Sequence, residues 1–332
     1  MAEKLHLTLA CGDYESIRAL KEGVIKPDGI ELTVLTDMDS STRHWRVSRY
    51  REFDVAEQSC SSYLLAKDRG EADDLTAIPV FLHRRFRHGF IFVNADKGIK
   101  EPKDLKGKTI GLKNWQATAL LWIRGILQDE YGVPFTDLEW RAEREEDVPF
   151  DPPAGLRMER LPKGKRVEDM LVEGELDAVI HPDILAPILE GDTRVKRIFD
   201  DPKQVELDYF QRTGIFPIMH TTVIKQEIVD KYPWVPMNMM VALEKAKQWT
   251  YDRMNNPRIV PLAFFRDSWE EQLELMGEDP WVYGLNDTNR NNVGTLARYS
   301  REQGMIRKDP DVDELFHESV RGEEWKLARS RG

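Results

Sequence analysis

The sequence predicts an α/β fold in two lobes. Three observations lead there. Strand-like runs alternate with helical ones from residue 5 onward, and the alternation restarts near residue 100. The 332 residues also exceed the ~250–300 at which a single core stops growing. The boundaries read as 1–98 plus 215–332 for lobe I, which includes the C-terminal helices, and 99–214 for lobe II.

The elements follow in order. Residues 5–10 alternate as a strand, and 14–22 have helical spacing. Pro27-Asp-Gly29 is a turn before a second strand over 30–35. Residues 43–51 have helical spacing, 53–57 form a short strand, 63–69 a helix and 75–81 a buried strand. In the second unit a helical turn from Pro102 feeds a strand that ends at Leu112. A helix over 117–130 is capped by Gly132, and 138–142 is a strand. The acidic, proline-containing stretch 144–155 reads as a surface loop. A helix over 167–173 is stopped by Gly174, and a strand over 176–180 follows. After an apolar run at 215–219 the chain is helical from Pro236 to Asn255 and mostly helical beyond.

Composition narrows the function. A hydrophobic share of 41% with 32% charged residues describes a globular protein rather than a disordered one. The net charge of -11 argues against a general nucleic-acid or anionic-membrane binder, while leaving room for a local basic pocket. No run approaches the ~18–20 apolar residues of a membrane span. No basic segment followed by ~7–15 apolar residues precedes the first strand, so a cytoplasmic location is expected. Cys11 and Cys60 are far apart and form no redox or metal motif, and no His-x-His or His-x-x-x-His spacing occurs. No metal is expected.

Residues 104–111, the helix carrying Arg124, and residues 171–178 resemble the second lobe of type II solute-binding proteins, the periplasmic-binding-protein-like fold, which implies a ligand cleft between the lobes. Within that group the chain, from about residue 5 to about residue 307, resembles the 4,5-dihydroxyphthalate decarboxylase family. The similarity is carried by Arg51–Glu57, Arg85–His88, Thr213–His220, Tyr232–Val235, Trp281–Gly284 and Asn289-Arg290. It implies a decarboxylase of a hydroxylated aromatic dicarboxylic acid that needs no organic cofactor. The alternative is a non-catalytic binding protein for a small aromatic or anionic ligand.

Several segments could carry such chemistry. His83-Arg-Arg-Phe-Arg-His88 is strongly basic in an acidic chain, and Arg85 and Arg87 offer planar forks suited to a carboxylate. The same cluster could instead be a solvated surface. Glu57 and Ser59 sit at a strand end, where ligands of open α/β sheets gather, or they cap the next helix. Trp115 and Thr118 open a helix whose N-terminus could seat an anion, with Trp115 stacked on a ring or packed in the core. Arg124 reads as structural. Tyr283 and Arg290 either close over the ligand or pin the C-terminal helix. Three histidines, His88, His181 and His220, stand at strand ends.

The resemblance implies conversion of 4,5-dihydroxyphthalate to protocatechuate and carbon dioxide. Direct loss of carbon dioxide would leave an aryl carbanion. Deprotonating the hydroxyl para to the departing carboxylate sends electron density to the ipso carbon, which an acid can then protonate. A histidine among His88, His181 and His220 would be that acid. Glu57 would be base or hydrogen-bond partner, and Arg85, Arg87 or Arg290 the clamp. The partner is therefore a small aromatic carboxylate. The charged C-terminal tail could serve a homo-oligomer contact.

Overall fold

The computed structural model describes residues 4–322. Residues 323–332, the end of the tail expected to make a subunit contact, lie outside the described residues. Two sheets organise the chain. The first contains β1 (Leu5–Ala10), β2 (Ile30–Leu35), β3 (Val55–Ser59) and β4 (Leu75–Ile78). The second contains β5 (Ile91–Asn94), β6 (Thr109–Leu112), β7 (Glu139–Ala142), β8 (Arg157–Arg160), β9 (Ala178–Ile180) and β10 (Val195–Arg197). The chain then returns to the first sheet through β11 (His220–Lys225), giving the orders β2-β1-β3-β11-β4 and β10-β5-β9-β6-β7-β8.

Most pairs joined through a helix are parallel, as crossover connections require, and β11 enters antiparallel between β3 and β4. β5 is hydrogen-bonded to β9 and β10 in the second sheet. The first crossing therefore falls between β4 and β5, ahead of the expected boundary after residue 98. Arg84 bridges antiparallel to Ile218. The Arg85 N–H donates to the Pro217 carbonyl at 3.0 Å, and the Met219 N–H donates to that of His83 at 2.9 Å. Two extended segments thus run side by side between the sheets; His83 lies on the first, and His220 opens β11 at the end of the second.

The helices Cys60–Arg69 and Thr118–Tyr131 approach each other across the gap, and Asp287–Glu302 packs on both. Gly132 ends Thr118–Tyr131 in the left-handed region at φ 64°, as the sequence implied. The loop 144–155 lies partly inside rather than on the surface. Glu146 accepts from the Trp115 and Gln116 N–H groups at 2.7 and 2.9 Å, and Val148 is buried. Among the described residues no helix is long and apolar enough to cross a membrane. Both cysteines are buried and unbridged.

Candidate active site

β3 is buried along its whole length. Its register with β11 sets Ser59 opposite His220 and Glu57 opposite Thr222. Because strand side chains alternate, Glu57, Ser59 and His220 share one face. Glu57 is completely buried, which an ionised carboxylate tolerates only with partners.

It has four. Gly12 N–H and Arg43 Nη2 donate to Oε2 at 2.8 and 2.6 Å, while Tyr14 O–H donates to Oε1 at 2.8 Å. His220 Nδ1 meets Oε1 at 2.6 Å. Burial alone would raise the Glu57 carboxyl. The His220 ring, as charge and hydrogen-bond donor, and then the Arg43 guanidinium overcome it and hold Glu57 well below the usual carboxylate range. Gly12 is required here by space, since a Cβ would lie 2.4 Å from the Tyr14 ring.

His220 is the centre of the cluster. The His44 ring stands edge-on at 4.5 Å between centroids, and His83 does so at 4.9 Å on the other contact. With Glu57 ionised, Nδ1 of His220 is the donor, so its other nitrogen, Nε2, is left to exchange a proton with a ligand. His44 and His83 are held neutral. Burial lowers both, assisted by the His220 charge, and His83 falls to about 2. Nε2 of His44 and Nδ1 of His83 are buried without a hydrogen-bond partner among the described residues.

Arg43 and His44 come from the helix Ser40–Tyr50, capped by Asp39, whose buried face they form with Val47. Sequence reasoning missed both. The available signal was a charged residue and an imidazole at the same helical face as Val47, a combination more often read as a polar surface.

The remaining expected residues divide. Ser59 and Thr118 meet across the gap, with their hydroxyls 2.9 Å apart, and Ser61 contacts the same Thr118 hydroxyl at 2.9 Å. They join the lobes beside the cluster. Arg87 lies on the first crossing segment, 1% exposed. It donates through Nη1 to the Pro182 carbonyl at 2.7 Å and reaches Met219 sulfur through Nε. Burial, then the charge of Arg85, lowers it to about 9. Its charge is one of those acting on His83. Arg85 is exposed and lies over the Phe90 ring at 4.9 Å.

Other expectations are corrected by packing. Trp115 is fully buried, with the Arg124 guanidinium 3.8 Å from its ring and Trp140 and Phe135 at its edges, so it cannot stack on a ligand. Tyr283 is likewise buried, beneath Lys247 at 4.2 Å. Arg290 is tied to Asp313 at 2.7 Å and to the Leu285 carbonyl, and it fastens the C-terminal segment. His88 packs against Tyr209 and Phe199, and burial followed by the Arg212 charge lowers it to about 4. His181 is anchored through Nδ1 at the Asp183 backbone, and burial lowers it as well. Among the described residues, no group of three or more His, Cys, Asp or Glu side chains could hold a metal ion. A cavity of about 500 Å³ shares Tyr14 and His83 with the cluster and is lined as well by the aromatic Tyr251, Trp269 and Trp281 and by charged groups, Asp13, Glu15, Arg84 and Lys247 among them. That volume suits a small organic ligand.

Comparison with known proteins adds to this geometry. A family model described as NMT1/THI5 like matches residues 17–139. A 4,5-dihydroxyphthalate decarboxylase of Comamonas testosteroni is 33% identical over 322 residues, covering 95% of this chain and 97% of that protein. The chain belongs to the 4,5-dihydroxyphthalate decarboxylase family. A second member of that family, from Pseudomonas putida, is 33% identical over 63% of this chain and 82% of its own length. Solved structures extend the likeness at the level of fold. The aliphatic sulphonate binding protein SsuA of Escherichia coli superposes with a TM-score of 0.56 at 12% identity, over 96% of this chain and 99% of its own. The desulfurization enzyme DSZB gives 0.51 at 16% identity, over 94% and 96%. The architecture of this decarboxylase-family chain is thus the two-lobed binding-protein fold.

Proposed function

We propose that this chain decarboxylates 4,5-dihydroxyphthalate to protocatechuate and carbon dioxide, with His220 as the proton donor. The observation that carries the reading is the buried Glu57–His220 pair, in which every strong acceptor position of Glu57 is already used. Glu57 is therefore an orienting carboxylate rather than the base for the phenol. It fixes the imidazole of His220 through Nδ1 and leaves Nε2 free, the arrangement an acid aimed at one carbon requires.

The reaction needs three groups. The hydroxyl para to the departing carboxylate donates to neutral His83, next to His220. This hydrogen bond draws its proton as electron density moves to the ipso carbon and gives it back when carbon dioxide has left, while the cation of Arg87 nearby steadies the charge that builds on the oxygen. His220 protonates the ipso carbon. The carbon–carbon bond then breaks, carbon dioxide leaves with no pair of electrons, and the ring recovers its aromaticity. One proton has replaced one carbon dioxide. The names of the curated relatives support this substrate.

Purified protein incubated with a panel of phthalates and hydroxybenzoates tests the reading. Carbon dioxide and protocatechuate are expected in equal amounts from 4,5-dihydroxyphthalate alone. Tight binding of that compound with no carbon dioxide released would retire the enzyme in favour of a binding protein.

A further inference from the structure

His44 and His83 each stand edge-on to His220. Cations act on both: Arg87 and then Arg85 on His83, and Arg43 and then Arg144 on His44. Arg144 comes from the loop after β7, in the stretch whose charges read from sequence as a solvated face. Its N–H donates to the Lys113 carbonyl at 2.8 Å, just past the pairing of β6 with β7, so Asn114, the next residue, lies beside it. Four residues further on, Thr118 meets Ser59, which stands opposite His220.

Arg144 and Asn114 share an unusual state. Asn114 is fully buried, and neither its amide nitrogen nor its oxygen has a partner among the described residues. Nε of Arg144 is buried and unpartnered as well. The carboxylate nearest Arg144 is Asp147 at 3.9 Å, the outer limit of an ion pair, and Asp39 also feels its charge. Nε2 of His44 is the fourth unpartnered atom on this side. Buried polar groups are nearly always hydrogen-bonded, so four together call for a ligand that can satisfy them.

We propose that Arg144 and Asn114 form the seat of the carboxylate that the substrate retains, fixing the ring with its hydroxyls toward His83. The proposal rests on the decarboxylase reading for the identity of that substrate. The chemistry distinguishes the His44 side from the His83 side. A retained carboxylate has about four lone-pair sites and suits the open donors of Arg144 and Asn114. On the His83 side Arg87 already spends Nε and Nη1 on Met219 and Pro182, and the neutral His83 suits a hydroxyl. The seat is supplied by the second sheet and the acid by the first, so substrate bridges the lobes.

Calorimetric titration with phthalate, which has both carboxylates and no hydroxyl to activate, tests the seat without turnover. Arg144→Gln is expected to weaken phthalate about 10–100-fold, the loss typical of a charge-assisted pair, and to leave catechol, which has no carboxylate, unchanged. Arg144→Lys should recover part of the loss, and a melting temperature equal to that of the unaltered protein establishes that the variant is folded. Phthalate affinity within twofold of the unaltered protein in Arg144→Gln, or no phthalate binding by the unaltered protein, would overturn the proposal. Arg144-dependent phthalate binding in a protein that releases no carbon dioxide from 4,5-dihydroxyphthalate upholds the seat while removing the decarboxylase reading.

Discussion

Glu57 and Arg43 are both almost inaccessible to water, and their energetics decide how the site responds to change. Removing one partner of such a pair leaves a charge buried without compensation, which costs about 3–5 kcal/mol. Arg43→Met should therefore lower stability by that amount in urea denaturation. Arg43→Met combined with Glu57→Gln should lose less than the sum of the two single changes, because the pair fails together. Additive losses would mean that the pair is not coupled.

The acid response follows from the same residues. His44 and His83 have folded pKa values below the 6.5 of a free imidazole, so below pH 6.5 the unfolded chain binds protons that the native state refuses. Stability then falls as pH drops from 6.5, by up to about 1.4 kcal/mol per pH unit for each such group. Glu57, also depressed, contributes in full above 4.5 and loses its contribution as pH falls below that. Denaturation midpoints between pH 7.5 and 4.5 should decline, and His44→Gln should flatten the slope. An unchanged slope in that variant would contradict the neutral, buried His44. At this scale the sequence exposed Glu57 and His220, because His220 opens β11 and Glu57 closes the run 53–57 that reads as a strand, although β3 in fact continues to Ser59. It concealed Arg43 and His44, because the His220 ring that stands against His44 comes from β11, far along the chain. Trp115 was ambiguous for a related reason: only Arg124, Trp140 and Phe135 together make it core.

At the scale of elements, two helices are held together by a missing side chain. Gly125 of the helix Thr118–Tyr131 faces Tyr299 of Asp287–Glu302, and an added Cβ would lie 2.2 Å from the tyrosine ring. In an exposed helix Gly→Ala gains about 1 kcal/mol. Overpacking here costs about 1–3 kcal/mol, so Gly125→Ala should lower the melting temperature, and a rise would show that the helices can separate freely. The strong elements were legible from period and punctuation: the strand over 30–35 and the Gly132 cap were placed as they occur. β8 and β10 were not, because each is a short edge strand. Their runs, Arg157–Arg160 and Val195–Arg197, have the charges that protect an edge, and they lack the alternation of a half-buried strand. β5 was also missed, since its partners β9 and β10 lie some ninety to one hundred residues onward.

Across the whole molecule the two sheets, their paired crossing segments and the Ser59–Thr118 contact bring groups from distant parts of an acidic chain around one imidazole. The two-lobed plan was readable because the α/β alternation restarts. The convergence of His44, His83 and His220 was not, because it depends on how a helix and two crossing segments meet. That convergence makes His220 the group on which turnover depends. The most direct measurement is carbon dioxide release from 4,5-dihydroxyphthalate by the unaltered protein and by His220→Gln, with phthalate binding measured on both. Loss of the acid should lower kcat by about 10²–10⁴-fold while phthalate still binds. Release by His220→Gln at the unaltered rate would contradict the account.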